Sequence, residues 1–132
     1  MITKIKVLLI DDDPVFHFIN SKVLEHLGLT SISTALNGQE ALNLISSCKE
    51  RQPGPGAIFV DLDMPILNGF GFIEAYKKLD YQNKNKIGLA IVTSSYNPDD
   101  IKRAKDLGVT HYITKPLTTD SVKPVLESII SE

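Results

Sequence analysis

The chain has 132 residues, a length that fits one domain with its own hydrophobic core. Hydrophobic residues make up 42% and charged residues 23%, which excludes a disordered polar chain, and the formal net charge of -2 gives no electrostatic footprint for nucleic acid. No apolar stretch approaches a membrane span, and the N-terminus lacks the pattern of a signal peptide. The single cysteine, Cys48, cannot form an internal disulfide, which fits a reducing cytoplasm.

The hydrophobic pattern repeats a strand followed by a helix five times along the chain. The predicted strands cover residues 7–10, 31–35, 57–60, 89–92 and 110–114. Three helix starts are marked by N-cap residues, namely Asp13, Asn37 and Asn97, and Glu40 follows Asn37 at the spacing of a capping box. Gly28 and Gly108 each follow a helical stretch and predict left-handed C-terminal caps.

Apolar residues at helical spacing predict which face of each helix packs in the core. In chain order these faces are Phe16, Ile19, Val23 and Leu27; Ala41, Leu44, Ile45 and Cys48; Ile73, Tyr76 and Leu79; Ile101, Ala104 and Leu107; and Val122, Val125, Leu126 and Ile129. The histidines share no metal-ligand spacing, so His17, His26 and His111 are expected at the surface.

Two segments depart from the regular pattern. Residues 80–86 are polar and predict a solvated loop. Pro124 interrupts the last helical pattern, so that helix either begins near Asp120 or Ser121 or is distorted.

The composition of the strands predicts their order in a sheet. The first, third and fourth strands are continuously apolar, as expected of central strands buried on both faces, whereas the second and fifth are mixed and belong at the edges. With right-handed crossovers these positions give an α/β fold, a doubly wound, five-stranded parallel sheet of flavodoxin-like order 2-1-3-4-5. Ligands bind such sheets beyond the carboxyl ends of the strands, here between the first and third strands.

Chemically reactive residues follow four of the strands. Asp11 and Asp12 come after the first strand, Asp61 after the third, Thr93 ends the fourth and Lys115 follows the fifth. Three carboxylates at one edge repel one another, and a hard divalent cation such as Mg²⁺, which prefers oxygen ligands, removes that repulsion. The sequence therefore predicts a magnesium site formed by the three aspartates, with the backbone carbonyl of a residue just after Asp61, that of Asp63, as a further ligand.

The same residues suit the transfer of a phosphoryl group. A carboxylate such as Asp61 can attack phosphorus to give an aspartyl phosphate. The metal and Lys115 would offset charge on the phosphoryl oxygens, and the hydroxyl of Thr93 would donate to one of them. Pro116 follows Lys115 directly, which restricts the backbone there and permits a cis peptide bond.

The chain resembles the receiver domains of bacterial two-component response regulators, the CheY-like family. The motifs that carry the resemblance are Asp11 and Asp12 after the first strand, Asp61 with Met64 and Pro65 after the third, Thr93, and Lys115 with Pro116. They occur in order and at familiar spacing over essentially the whole chain. One departure is Asn68 before Gly69, where the family usually has Asp before Gly.

The resemblance implies a phosphorylation-activated switch rather than an enzyme acting on other molecules. A phosphohistidine on a sensor histidine kinase or a phosphotransfer protein would donate to Asp61. The response would be a shift in the face made by the fourth helix, fifth strand and fifth helix, recognised by an unknown downstream protein, or the phosphoryl group would be relayed onward.

The resemblance also assigns supporting roles. Thr93 and Tyr112 would form the switch, with the aromatic side chain turning inward as the hydroxyl moves towards the phosphoryl group. Asp63 and Ser95 lie two residues beyond Asp61 and Thr93, at positions that flank the attacking water in the family, and would set the lifetime of the phosphoryl group.

Two other functions are alternatives to the phosphorylation-activated switch. A receiver-like interaction module that no longer takes phosphate would fail to bind Mg²⁺. A haloacid dehalogenase-like phosphatase would also use an Asp-x-Asp motif such as Asp61 to Asp63, but Pro65 stands where those enzymes usually have Thr or Val. Steady turnover of a phosphate ester would identify the phosphatase.

The chain is expected to be a single receiver domain over residues 1–132 with no output domain. It has no basic helix for direct DNA binding and no segment for membrane insertion. We expect a cytoplasmic protein that is a monomer or a phosphorylation-dependent dimer.

Overall fold

The computed structural model describes residues 5–46, 56–62, 64, 67–78, 88–94, 97–109 and 111–131, with side chains up to residue 128. The elements are β1 (Lys6–Ile10), α1 (Pro14–His26), β2 (Ser31–Ala35), α2 (Gly38–Ser46), β3 (Ala57–Val60), α3 (Gly69–Lys78), β4 (Gly88–Thr93), α4 (Pro98–Asp106), β5 (His111–Thr114) and α5 (Thr119–Ser131). Cys48, Leu79, the side chain of Ile129 and the predicted loop at 80–86 lie outside the described residues.

The strands form one parallel sheet in the order β2-β1-β3-β4-β5, which confirms the predicted order. Ile10 lies opposite Ala35 on one side and Val60 on the other, so β1, β2 and β3 end level with one another. Thr93 lies opposite Thr114, which aligns the ends of β4 and β5 in the same way. The residues that follow these strands therefore lie along a single edge of the sheet.

Helices cover both faces of the sheet, and alternate residues of each central strand serve one face or the other. One core cluster contains Leu8 and Ile10 of β1 with residues of α2, α3 and α4, and the other contains Val7 and Leu9 with residues of α1 and α5. β1, β3 and β4 are almost entirely buried, whereas most residues of β2 and β5 are partly or fully exposed. The predicted division into central and edge strands is confirmed.

Side-chain caps define the helix starts much as predicted. The Asp13 carboxylate accepts from the Val15 amide at 2.9 Å, and Asn97 caps α4 in the same way. Asn37 accepts from the Glu40 amide at 2.8 Å, but the Glu40 carboxylate reaches the amide of Leu36 rather than that of Asn37, so the predicted capping box is only half formed.

Both predicted glycine caps are confirmed. Gly28 has φ of 94° after α1 and Gly108 has φ of 85° after α4, values that side chains other than glycine rarely adopt.

The start of α5 differs slightly from the prediction. Thr118 and Ser121 cap the helix reciprocally, because each backbone amide donates to the hydroxyl of the other residue, at 3.0 and 3.1 Å. This pair lets the helix begin at Thr119, ahead of Asp120, and continue through Pro124 to its end. The proline lies in the second turn, where it withholds one amide from the helical ladder.

The predicted core face of α1 is wrong in part, although Val23 and Leu27 do pack against the core cluster that contains Leu24. Its buried residues are His17, Asn20 and Leu24, whereas Ile19 is 36% exposed and Phe16, Val23 and Leu27 are half-buried. Two of the three buried side chains of this helix are therefore polar, those of His17 and Asn20. The prediction that His17 is a surface residue is therefore also wrong, since its side chain is buried.

The other helix faces follow the pattern more closely. In α2, Leu42 is buried and Leu44 is 41% exposed, which reverses the predicted choice between them. The predicted residues that are buried are Ala41, Ile45, Ile73, Tyr76, Ala104, Val122, Val125 and Leu126, and Ile101 and Leu107 are half-buried. Within the described ranges, no helix has both the length and the apolar character needed to cross a membrane.

The burial pattern of α1 can be tested by truncating two aliphatic residues of the same helix. Leu24→Ala should lower the free energy of unfolding by about 2–5 kcal/mol, because it leaves a cavity in the core. Ile19→Ala should cost less than about 1 kcal/mol, because its side chain is already partly in water. Urea unfolding measures both, and equal losses would contradict the assigned face.

Candidate functional site

Three carboxylates meet at the carboxyl edge of the sheet. The oxygens of Asp11, Asp12 and Asp61 that could serve as ligands all lie within 4.8 Å of one another. Asp11 and Asp61 are each 4% exposed, and Asp12 is exposed. The structure thus brings together the three acids that the sequence predicts for one site, two of them buried and one open to water.

Lys115 bridges the two buried acids. Its ammonium nitrogen lies 2.7 Å from Oδ2 of Asp11 and 3.2 Å from Oδ2 of Asp61. Burial lowers the pKa of Lys115, but the hydrogen bond to Asp11 and the charges of Asp61 and Asp11 outweigh burial, so its pKa lies above the ordinary lysine value. Nζ also lies 4.2 Å from the ring centroid of Phe16, in cation–π contact. The lysine therefore stays charged at neutral pH.

Backbone hydrogen bonds hold the functional residues at the strand ends. The amide of Asp11 donates to the carbonyl of Ala35 at 3.1 Å, and the amide of Asp61 donates to the carbonyl of Ile10 at 2.9 Å. The amide of Lys115 donates to the carbonyl of Thr93, also at 2.9 Å. Each functional residue thus continues the hydrogen bonding of the sheet by one step beyond its strand.

Gly69, the first residue of α3, packs directly against the backbone of Asp61. Its amide donates to the carbonyl of Leu62 at 3.0 Å, and a Cβ placed on it would lie 2.3 Å from the carbonyl oxygen of Asp61. The preceding Asn68 caps α3, because its side-chain oxygen accepts from the amide of Gly71 at 2.9 Å. An aspartate would make the same cap, so the departure at Asn68 leaves the local structure unchanged.

Thr93 and Tyr112 lie on the neighbouring strands β4 and β5, and Tyr112 is opposite Ile91, two residues before Thr93. Thr93 is fully buried at the end of β4. Tyr112 is half-buried on β5, where it packs against the core cluster beneath α2, α3 and α4. The peptide bond between Lys115 and Pro116 is cis. Asp63, including its backbone carbonyl, and Ser95 lie outside the described residues.

The donor set fits a hard divalent cation. All the donors of the cluster are carboxylate oxygens, which Mg²⁺ and Ca²⁺ prefer to nitrogen or sulfur ligands. Asp11 and Asp61 could bind from the protein side, and the exposed Asp12 leaves room for the water ligands that Mg²⁺ usually keeps. The residues present therefore fit the predicted metal.

His17 is a site residue that the sequence analysis missed. Its Nε2 lies 2.6 Å from the carbonyl oxygen of Asp11 and 3.1 Å from that of Ala35, and the side chain is only 8% exposed. A sequence signal was present, because His17, Asn20 and Leu24 have the spacing of one helical face. Hydrophobicity alone favoured the neighbouring, more apolar face of α1 as the one that packs in the core.

The close packing at Gly69 can be tested with two alanine substitutions in one helix. Gly69→Ala should lower the free energy of unfolding by about 1–3 kcal/mol, because its Cβ would meet backbone atoms of Asp61 and Leu62 that cannot move aside. Gly71→Ala is the matched control, since its nearest neighbour is a side-chain carbon of Leu67 that can rotate away. Urea unfolding measures the stability of both variants. A Gly69→Ala protein as stable as the wild type would contradict the close packing of Gly69 against the backbone of Asp61.

Comparison with known proteins identifies a family that has this architecture. The family model for the response regulator receiver domain matches residues 7–127. The probable chemotaxis protein CheY of Rhizobium etli is 29% identical, over 96% of this chain and 92% of that protein. The sensor histidine kinase CheAY of Helicobacter pylori is 35% identical over 94% of this chain, but the match spans only 15% of the kinase.

A solved structure has nearly the same extent. The two component response regulator from Cytophaga hutchinsonii superposes with a TM-score of 0.89 at 30% sequence identity, covering 98% of this chain and 99% of that one. The sheet order, the residues gathered at its edge and the family match agree, and the chain belongs to the response regulator receiver domain family, the CheY-like receivers of two-component signal transduction.

Proposed function

We propose that this receiver domain is a switch activated by phosphorylation of Asp61. The observation that carries the proposal is the setting of this carboxylate, which is buried, held by the Lys115 ammonium at 3.2 Å and clustered with Asp11 and Asp12. A buried acid with one cation and two further acids around it is suited to receive an anionic group and a metal together.

The chemical step uses Asp61 as the nucleophile. A carboxylate oxygen attacks the phosphorus of a phosphohistidine, a phosphorus–oxygen bond forms, and the phosphorus–nitrogen bond breaks with its electron pair passing to the imidazole. Lys115 is within reach of the reacting carboxylate and would offset the charge on the phosphoryl oxygens. The protein acts on itself in this step and catalyses only its own phosphorylation and dephosphorylation.

Charge balance favours a metal in the reaction. Asp11, Asp12 and Asp61 with Lys115 leave the site with a net charge near -2, and a phosphoryl group adds more negative charge. Asp11, Asp12 and Asp61 would hold Mg²⁺, with the backbone carbonyl of Asp63 as a further ligand. When bound, the metal supplies positive charge to the phosphoryl oxygens.

The response would pass through Thr93 and Tyr112. Thr93 is buried at the end of β4, next to the strand that carries the half-buried Tyr112. A hydroxyl drawn towards the phosphoryl group would leave space for the aromatic ring to turn inward. The surface altered in this way is the α4-β5-α5 face, which an unknown downstream protein would recognise unless the phosphoryl group is relayed onward.

The donor would be a sensor histidine kinase or a histidine phosphotransfer protein. Receiver domains of this family work with such proteins, and the matching segment of Helicobacter pylori CheAY lies within a chain named as a sensor histidine kinase. A receiver-like interaction module that takes no phosphate is the alternative, and a dehalogenase-like phosphatase is a more distant one. Neither has an observation that favours it over the switch.

The proposal is tested by labelling the intact protein with a small acyl-phosphate donor. The wild type should gain one labile phosphoryl group only when Mg²⁺ is present, because the clustered acids repel the donor without it. Asp61→Asn should abolish the labelling, since it removes the nucleophile. Intact-protein mass spectrometry measures both results.

Asp106→Asn is the matched control, because it makes the same chemical change at an exposed acid on α4 and should label normally. A wild type that neither labels nor binds Mg²⁺ would instead favour the interaction module. Continuous release of phosphate from a simple phosphate ester would favour the phosphatase.

The lifetime of the phosphoryl group is assigned to Asp63 and Ser95. Exchanging both residues should change the dephosphorylation rate by about tenfold or more, because the corresponding positions of the family flank the attacking water and would orient it. The decay of labelled protein after donor removal gives the rate. An unchanged rate in the double variant would remove both residues from this role.

A further inference from the structure

We propose that His17 is a positioning residue that fixes the backbone of Asp11 and thereby sets the geometry of the cation site. The inference rests on the proposed function, since it assigns His17 a role in the same Mg²⁺ site. His17 lies six residues after Asp11, in the first turn of α1, and contributes no ligand itself.

The hydrogen bonds of His17 point to the site. Nε2 contacts the carbonyl oxygens of Asp11 and Ala35 at 2.6 and 3.1 Å. A carbonyl oxygen only accepts, so Nε2 carries the hydrogen and donates to both. In the described part of the chain, Nδ1 of the same ring has no hydrogen-bond partner. The polar contacts of this side chain are therefore directed to the ends of β1 and β2.

The contact completes the anchoring of Asp11. Its amide donates to Ala35, its Oδ1 accepts from the amide of Asp13 at 3.0 Å, and its Oδ2 accepts from Lys115 at 2.7 Å. Its carbonyl oxygen accepts from His17. All four polar groups of this buried ligand residue are thus held, and the histidine holds the one that faces α1.

An ordinary core role explains the residue less well. Burying Nδ1 without a partner costs free energy that a leucine at the same position would not incur. The inner face of α1 also carries Leu24, which is fully buried, so this face accommodates an aliphatic side chain two turns further along. What a leucine could not supply is the donor to the two carbonyls.

The test compares His17→Leu, which removes the donor, with His17→Gln, whose amide nitrogen can occupy the place of Nε2. His17→Leu should weaken Mg²⁺ binding by about tenfold or more, as loss of a group that orients a metal ligand usually does. His17→Gln should bind within about threefold of the wild type. Isothermal titration calorimetry measures Mg²⁺ affinity at a temperature where circular dichroism shows every variant folded.

Two further measurements separate positioning from stability. Leu24→Ala destabilises the same helix without touching Asp11 and should leave Mg²⁺ affinity within about twofold of the wild type. In metal-free protein, the NMR amide signal of Asp13, which donates to Asp11, should shift in His17→Leu and stay near its wild-type position in Leu24→Ala. If His17→Leu does not fold, His17→Asn, whose shorter amide falls short of the carbonyls, replaces it.

The inference is overturned if His17→Leu binds Mg²⁺ as the wild type does, if His17→Gln loses as much affinity as His17→Leu, or if Leu24→Ala loses as much. A wild type that neither binds Mg²⁺ nor accepts phosphate would instead refute the proposed function. In that event the Asp13 amide signal still decides whether His17 positions Asp11.

Discussion

The electrostatic repulsion among three carboxylates is the unfavourable interaction that the structure of the site must offset. Asp11 and Asp61 are buried on neighbouring strands, where their charges are poorly screened, and the ammonium of Lys115 lies between them at 2.7 and 3.2 Å. Lys115 follows β5, the edge strand on the far side of the sheet from β2. One ion-pair cluster therefore ties together loops that are far apart in sequence, and the parallel sheet is the framework that lets them meet.

Backbone hydrogen bonds fix the positions of the residues in this cluster. Asp11, Asp61 and Lys115 each stand one residue beyond a strand, and each donates its amide to the last residue of a neighbouring strand. The side chains thus inherit the rigidity of the hydrogen-bonded sheet rather than that of a free loop. Gly69 adds a second constraint from the other side, because its lack of a Cβ lets α3 begin against the carbonyl of Asp61.

Much of this arrangement could be predicted from the sequence, because it depends on strong and local signals. Continuous apolar runs identified the central strands, and residues placed directly after strands identified the acids and Lys115. Prediction was wrong in part on α1, where Ile19 is 36% exposed and His17 and Asn20 are buried. Hydrophobicity measures the gain from burying a side chain, but it does not count a hydrogen bond made to a backbone carbonyl across the structure, and such bonds place His17 inside.

Smaller differences have the same origin. The start of α5 depends on two hydroxyl groups, those of Thr118 and Ser121, whose reciprocal bonds are specific to the folded geometry. Asn68 departs from the usual residue of the family yet caps α3 through its side-chain oxygen, so chemical role was a better guide than residue identity. Tertiary hydrogen bonds of this kind leave only a weak trace in a single sequence.

The edge strand β2 is largely exposed, yet the carbonyl of its residue Ala35 helps to hold the site in place. This one oxygen accepts from the amide of Asp11 and from the imidazole of His17, and it stands on a strand paired to the sheet along β1. Edge strands with few buried side chains are among the first parts of a domain to open in local unfolding. Detachment of β2 would release Asp11 and His17 together, so the opening of this exposed edge strand would limit how long a buried acid of the cluster stays in place.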